Sequence, residues 1–348
     1  MKKGFALVMA SMMALSLTAC GGNGSSATTA ADTSAADTKA EGTTAAAPAD
    51  KIGLAGSGKE LIFTTGGDQG TYYGFGSVLA GQISDMTDTT VTAIVGKGSK
   101  GNIEAMDAGD AQLGFVQSDV MAYAYSGTNL FDGAKVDGFS TVAALYMEQV
   151  QIVTLKPDIK TVADLKGKTV SVGDSGSGVY FNALDCLGAY GLTIDDITPT
   201  YQSFGDSVEA MQDGKIDAAF IVAGAPTTAV TSLAATRKVY LVELDDEHID
   251  KLIETSPYYS KYTIAKDAYG LDADATTVAV GAVVVARDDV DENDIYNVVA
   301  GIYDSIDTLG HDKKNELDLD FAASVTAVPY HKGAAKYFAE KGLTVPTK

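Results

Sequence analysis

The chain repeats part of its own sequence after 105 residues (209 − 104). Residues 104–115 read EAMDAGDAQLGF and residues 209–220 read EAMQDGKIDAAF. In each copy a helical pattern reaches a glycine, Gly109 or Gly214, and a short apolar strand follows. Glycine at that place is typical of a helix end, because it tolerates positive φ. The unit is too long for a solenoid repeat, so the pattern predicts two similar α/β lobes.

A glycine-rich loop lies upstream of each copy. Residues 67–71, GDQGT, follow the strand-like ELIFTTG, and residues 173–178, GDSGSG, follow KTVSVG. An amphipathic helix pattern comes after each loop. The order strand, loop, helix, strand, helix, strand predicts parallel strands whose ligands lie at their carboxyl ends. Two such lobes facing one another would bring both loops to one cleft.

The N-terminal segment is separate from the lobes. Residues 1–19 have a basic start and a short apolar run, which is typical of a signal peptide. LTAC resembles a bacterial lipobox and implies lipidation of Cys20; the alternative is an incidental cysteine. Residues 20–58 predict a disordered tether, because they lack large apolar side chains. We therefore expect an extracytoplasmic, lipid-anchored protein in which Cys186 has no disulfide partner.

The charge and residue counts exclude several kinds of partner. The formal net charge of −21 argues against nucleic acid and against a basic patch for anionic lipid. Three histidines and two cysteines are too scattered for a transition-metal site. A calcium site with only oxygen ligands remains an alternative, although the sequence has no EF-hand loop. We expect neither a metal nor a cofactor.

The GDSG sequence raises the possibility of a serine hydrolase built on Ser175. A trypsin-like enzyme needs its histidine before the serine, whereas His248, His311 and His331 all follow it. An α/β-hydrolase has the right chain order but requires G-x-S-x-G, and Ser177 occupies the last position. The hydrolase is kept as an alternative, and the prediction is that the protein is not an enzyme.

Glycine-rich loops that lead into helices can bind an anion. They present unpaired backbone N–H groups at the positive end of the helix dipole. The chain has only two arginines for a carboxylate clamp, Arg237 and Arg287. Candidate side chains in the loops are the hydroxyls of Thr71, Ser175 and Ser177 and the ammonium groups of Lys97 and Lys100. The alternative is ordinary turn chemistry.

Five blocks of the sequence together resemble the solute-binding proteins of the TAXI type, the extracytoplasmic subunits of TRAP transporters. They are TTGGDQGTYYGFGSVLA, GSKGNIEAMDAGDAQLGFVQSD, LKGKTVSVGDSGSGVYF, IDAAFIVAGAPT and VPYHKGAAKYFAEKG, between residues 60 and 342. The resemblance implies a bilobed type II periplasmic-binding-protein fold. It also implies that a small carboxylate or amino acid, glutamate-like or a dicarboxylate, is delivered to TRAP membrane permease subunits.

The same resemblance assigns binding residues, to which the loop pattern adds Thr71. They are Tyr72, Tyr73, Ser99, Asn102, Gln117, Ser175, Ser177, Gly178, Gly224, Ala225 and Pro226. Asp68, Gln69, Lys97 and Lys100 stand where the family often has small residues, so the ligand can differ from glutamate. Asp68 would disfavour an anion unless it pairs with a lysine, or it could hold an ammonium group.

The predicted crossings between the lobes lie in two strand-like segments, LYMEQVQIVTL and VAVGAVVVARDD. The first lobe then comprises residues 59–148 and 284–348, and the second comprises residues 149–283. A second alternative function is a sensor-type binding protein that feeds a receptor instead of a transporter.

Overall fold

The computed structural model describes residues 51–348, in which the strands form one ten-stranded sheet. The strands are β1 (Glu60–Thr64), β2 (Thr90–Ile94), β3 (Leu113–Gln117), β4 (Phe139–Thr154), β5 (Thr169–Ser171), β6 (Thr198–Thr200), β7 (Ala218–Ala223), β8 (Tyr240–Val242), β9 (Ser260–Ile264) and β10 (Ala275–Arg287). The sheet order is β2-β1-β3-β10-β4-β7-β5-β6, with β8 beside β4 and β9 beside β10.

Helices connect these strands. They are α1 (Thr71–Met86), α2 (Ser99–Asp107), α3 (Ser118–Ser126), α4 (Val179–Ala189), α5 (Phe204–Gln212), α6 (Thr228–Ala234), α7 (Asp246–Thr255), α8 (Glu292–Tyr303), α9 (Leu319–Ala322) and α10 (Lys332–Glu340). A 3-10 helix spans Asp312–Glu316. No helix within residues 51–348 combines the length and the apolar character needed to cross a membrane.

The sequence repeat corresponds to a structural repeat. β1-α1-β2-α2-β3 and β5-α4-β6-α5-β7 have the same order of elements, and the strands of each set pair in parallel. Gly109 and Gly214 follow α2 and α5 with φ of 87° and 71°, a backbone conformation that side chains of other residues rarely allow. The two sets lie at opposite ends of the sheet, so their similarity gives two similar lobes.

β4 and β10 join the two lobes through a long antiparallel pairing. One end of β10 pairs with β3, while the far end of β4 pairs with β7. The two segments in which the crossings are predicted overlap β4 and β10. We call the sheet half with β1–β3 the first lobe and the half with β5–β7 the second. The bilobed α/β fold is therefore as predicted, and the residue boundaries of the lobes stay a prediction.

The C-terminal helices complete the first lobe. Ile83 of α1, Val299 of α8 and Phe338 of α10 are buried in one hydrophobic cluster with β1 and β3 side chains. In the second lobe Cys186 is buried in the cluster around β5 and β7, and burial raises the pKa of its thiol. The predicted signal peptide, Cys20 and the predicted tether up to residue 50 lie outside the described residues. Residues 51–58, predicted as part of the disordered tether, are instead bound to the first lobe: the Ile52 N–H donates to the Met86 carbonyl at 2.8 Å and the Leu54 N–H to Asn297 Oδ1 at 2.7 Å.

The packing of α10 on α8 predicts the effect of one substitution. A Cβ at Gly333 would lie 2.0 Å from the backbone oxygen of Glu292, which cannot move without shifting α8. Gly333→Ala should lower the free energy of unfolding by about 2 kcal/mol or more, and the melting temperature by about 4–8 °C. Thermal unfolding by circular dichroism measures this.

Gly188→Ala is the matched control. Gly188 is exposed on α4, and a Cβ there meets no atom within 4 Å. Alanine favours the helix by about 0.8–1 kcal/mol, so the melting temperature should rise slightly. Equal melting temperatures for the two variants would contradict the described packing of α8 against α10.

Candidate functional site

A cavity of about 70 Å³ lies between the two lobes, with room for about five water molecules. It is bounded by the loops that follow β1, β2 and β5, by the carboxyl ends of β3 and β7, and by β4. Its lining residues are Gly66, Gly67, Asp68, Gln69, Gly70, Thr71, Tyr72, Gly96, Lys97, Gly98, Ser99, Gln117, Glu148, Asp174, Ser177, Gly178, Val179, Ser203, Phe204, Gly205, Val222 and Ala223.

Four helices begin at this cavity. The N-cap residues of α1, α2, α4 and α5 are Gly70, Gly98, Gly178 and Ser203, and all four line it. Ser203 caps its own helix by accepting a hydrogen bond from the Asp206 N–H. The three glycines have no side chain with which to cap, so the first-turn N–H groups behind them are open to a ligand, except that of Gly101 in α2, which donates to the Gly176 carbonyl. Together the helix dipoles favour a negative group in the cavity.

The glycine loops of the two lobes are in direct contact. The Gly101 N–H donates a 2.9 Å hydrogen bond to the Gly176 carbonyl, and a Cβ at Gly98 would lie 3.4 Å from Ser177. Thr71 of the first lobe also donates from Oγ1 to the Gly224 carbonyl at 2.9 Å. The lobes are therefore closed on one another around the cavity.

A buried chain of side-chain hydrogen bonds orients Gln117 at the end of β3. Asn182 donates both amide protons, one to Asp119 Oδ2 at 3.1 Å and one to the Tyr259 hydroxyl at 2.7 Å. Its Oδ1 therefore faces Gln117 and accepts from Gln117 Nε2 at 2.9 Å. The remaining amide atom, Gln117 Oε1, must then be an acceptor without a proton to offer.

Polar atoms without partners are concentrated at the cavity. Within residues 51–348, five buried side-chain oxygen atoms have no hydrogen-bond partner. Four of them belong to residues that line the cavity: Tyr72 OH, Gln117 Oε1, Glu148 Oε2 and Ser177 Oγ. Because leaving a buried polar atom unpaired is costly, such a cluster indicates a place where a bound molecule completes the hydrogen bonds.

Glu148 is a carboxyl group that sequence analysis missed. It lies on β4 near the crossing between the lobes and is 1% exposed. Burial raises the pKa of its carboxyl to about 8, although the Tyr72 hydroxyl beside it acts in the opposite direction. The only signal in the sequence is a glutamate inside a strand that is otherwise mostly apolar, LYMEQVQIVTL.

The cavity brings together about half of the residues assigned by sequence. Those that line it are Thr71, Tyr72, Ser99, Gln117, Ser177 and Gly178. Asp68 and Lys97 also line it, as exposed side chains at its rim. Those that do not line it are Tyr73, Asn102, Ser175, Gly224, Ala225 and Pro226, together with Lys100.

The residues outside the lining have other contacts. Asn102 is fully buried, and its side chain joins β1 to β3 by donating to the Thr65 and Phe115 carbonyls. Ala225 accepts a hydrogen bond from Lys313 Nζ at 3.0 Å. Lys100 pairs with Glu104 on its own helix.

Ser175 forms no hydrogen bond with a histidine within residues 51–348. Its side chain is exposed on the loop before α4. His248 stacks on Tyr190, while His311 and His331 accept backbone N–H bonds at the starts of their own helices. Within the described part of the chain, no group of three His, Cys, Asp or Glu side chains is arranged to hold a metal ion.

Comparison with known families gives one match over most of the chain. The model of the NMT1-like family matches residues 63–342. The chain belongs to the NMT1-like family. The TAXI type is a finer assignment, and the family match does not distinguish it from other types.

Solved structures give more distant likenesses to this NMT1-like chain. The alkanesulfonate-binding protein SsuA from Xanthomonas axonopodis pv. citri is 16% identical, with a TM-score of 0.42 over 80% of this chain and 83% of its own. PhnD1 from Prochlorococcus marinus, in complex with methylphosphonate, is 13% identical, with a TM-score of 0.47 over 76% and 89%. The substrate-binding protein of an amino acid ABC transporter is 13% identical, with a TM-score of 0.48 over 74% and 97%. None of the three identifies the solute of this chain.

Gly178 tests whether the cavity closes as described. A Cβ there would lie 1.8 Å from Gln117 Oε1 and 2.7 Å from Ser99 Oγ, and the Gln117 amide is held by Asn182. Gly178→Ala should therefore prevent closure and raise the Kd of any solute bound in the cavity at least about tenfold. The radius of gyration from small-angle X-ray scattering, with and without a pool of amino acids and small dicarboxylates, measures closure.

The control lies on the same helix. Gly188→Ala, at the exposed end of α4, should become as compact as the unmodified protein when the pool is added. If Gly178→Ala becomes equally compact, the close approach of Gly178 to Gln117 does not govern closure.

Proposed function

We propose that the chain is the extracytoplasmic solute-binding subunit of a membrane transporter, and that it captures a small carboxylate or amino acid between its lobes. The observation that carries this proposal is the set of unpartnered buried atoms of Tyr72, Gln117, Glu148 and Ser177 around one interlobe cavity. A bound solute would supply their missing partners. Closure of the lobes would then hold the solute away from water.

The negative group of the solute would lie against the glycine-capped helix starts. The first-turn N–H groups of α1, α2 and α4, apart from that of Gly101, can donate to it, as can the hydroxyls of Tyr72 and Ser177. Lys97 at the rim adds a positive charge. Together these donors take the place of an arginine clamp, and the small volume favours a compact solute.

No observation favours the serine hydrolase or the receptor-feeding alternative. The hydrolase needs a nucleophile beside a base, whereas Ser175 is exposed away from the cavity and each histidine has a structural contact. A binding protein needs no such pair, because it holds the solute without reacting with it.

For the partner, we propose TRAP membrane permease subunits, on the strength of the five blocks that resemble TAXI proteins. The LTAC sequence supports lipidation at Cys20 and attachment to the membrane surface by that lipid. The binding domain would then stay close to the permease on the tether.

Two neighbouring serines separate the binding site from the hydrolase-like motif. Ser177→Ala removes a buried hydroxyl in the cavity and should raise the Kd of the solute about tenfold, which is the usual effect of losing one buried hydrogen bond. Ser175→Ala changes an exposed side chain outside the cavity and should leave affinity unchanged. A thermal-shift panel of amino acids and small carboxylates finds the solute, and isothermal titration gives the Kd values.

The opposite order of effects would contradict the assigned cavity. Turnover of an ester or amide substrate that disappears in Ser175→Ala would support the hydrolase. If no carboxylate or amino acid raises the melting temperature of the unmodified protein, the proposed solute class is wrong.

The proposed TRAP partner predicts the energy source for transport. Proteoliposomes that contain the proposed TRAP membrane subunits should take up the solute when an ion gradient is applied without ATP. Addition of this chain should be required for uptake. Uptake that needs ATP inside the vesicles and ignores the gradient would instead assign an ABC-type transporter.

A further inference from the structure

We propose that Glu148 and Gln117 form the binding site for an ammonium group of the solute, and that the solute displaces the Glu148 proton into the solvent when it binds. This inference rests on the proposed function and narrows it: the solute is an amino acid, and a dicarboxylate without an ammonium group binds more weakly.

The first step is the supply of donors and acceptors in the cavity. Gln117 Oε1 is fixed as an acceptor by the Asn182 amide, and Glu148 Oε2 has no partner. The Gln117 amide and the Tyr72 hydroxyl lie beside the Glu148 carboxyl. Once Glu148 is ionised, a dicarboxylate carries no proton donor for these two acceptors. An ammonium group carries three N–H donors and satisfies both.

The second step is the charge that surrounds Glu148. The titratable and charged groups that act on it are Tyr72 of α1, Asp119 of α3, Tyr146 of its own strand and Lys313 of the 3-10 helix. Glu316 lies beside Tyr146 and Lys313, and Asp68, Lys97 and Asp174 line the same cavity. Lys313 Nζ is already bound to Glu316 and to the Ala225 carbonyl. Within residues 51–348, no cationic side chain forms an ion pair with Glu148.

The third step is the protonation state that follows. A carboxylate that is buried without a counter-ion is unstable, so Glu148 retains its proton in the closed protein, consistent with its pKa of about 8. An ammonium group beside it would supply the missing positive charge and lower that pKa. The carboxyl O–H bond then breaks, the proton passes to the buffer, and the carboxylate remains paired with the solute.

The fourth step is the dependence of binding on pH. If one proton leaves when the solute binds, affinity must rise about tenfold per pH unit until the pH reaches the pKa that Glu148 has in the unliganded protein. A solute that lacks the ammonium group displaces no proton, so its affinity does not rise with pH in this way.

L-glutamate and glutarate provide a matched pair of probes, because they differ only in the ammonium group. Isothermal titration from about pH 6.5 to about pH 8, in two buffers of different ionisation enthalpy, counts the protons released. L-alanine and propionate form a second pair for a smaller solute. We expect about one proton released with the amino acid and none with its partner acid.

Glu148→Gln keeps the shape of the side chain but cannot ionise. It should abolish proton release, flatten the pH dependence of amino-acid binding and raise the Kd of the amino acid at least about tenfold at pH 8. Glu209→Gln, an exposed carboxyl on α5 outside the cavity, is the matched control and should behave as the unmodified protein.

Four results would overturn the proposal. Amino-acid binding without proton release would refute the role of Glu148 and leave the proposed solute-binding function standing. Release that persists in Glu148→Gln but disappears in Asp119→Asn would assign the proton to Asp119 instead. Binding of glutarate more tightly than L-glutamate would refute the ammonium site. If neither member of either pair binds, the proposed solute class fails as well.

Discussion

The antiparallel pairing of β4 with β10 is the constraint on which the rest of the structure depends. Its register extends from Phe139 opposite Arg287 to Gln149 opposite Ala279, and it is the sheet connection between the lobes. Any movement of one lobe against the other must bend these two strands near their crossing. Glu148 lies on that segment, opposite Val280, so its surroundings change whenever the lobes open or close.

The overall fold can be predicted from the sequence, because the repeat shows that the same order of strands and helices occurs twice. A glycine that ends a helix and an apolar strand behind it recur after the same interval, and the parallel order of strands follows from helical crossovers. The two long strands were also visible as extended apolar runs. Such features depend on residues that are close in sequence, so local patterns are enough to predict them.

The candidate site was predicted less completely, because its atoms come from distant parts of the chain. The glycine loops point to a cleft, but the sequence does not say which side chain of a loop turns inward. Ser177 is buried in the cavity and Ser175 is exposed, although only one residue separates them. Tyr72 lines the cavity whereas the half-buried Tyr73 does not, since adjacent positions on a helix face about 100° apart.

Sequence analysis missed Glu148 because the residues that give it a role are distant in the chain. A single acid in a strand has no local pattern, and its meaning depends on Tyr72 and Gln117, which are remote in sequence. In the closed state all three are buried together, and a carboxylate there without a cation would oppose closure. The carboxyl must therefore be protonated or paired before the lobes can close. An ammonium-bearing solute supplies the second condition, which couples occupancy of the cavity to the closed arrangement of the lobes.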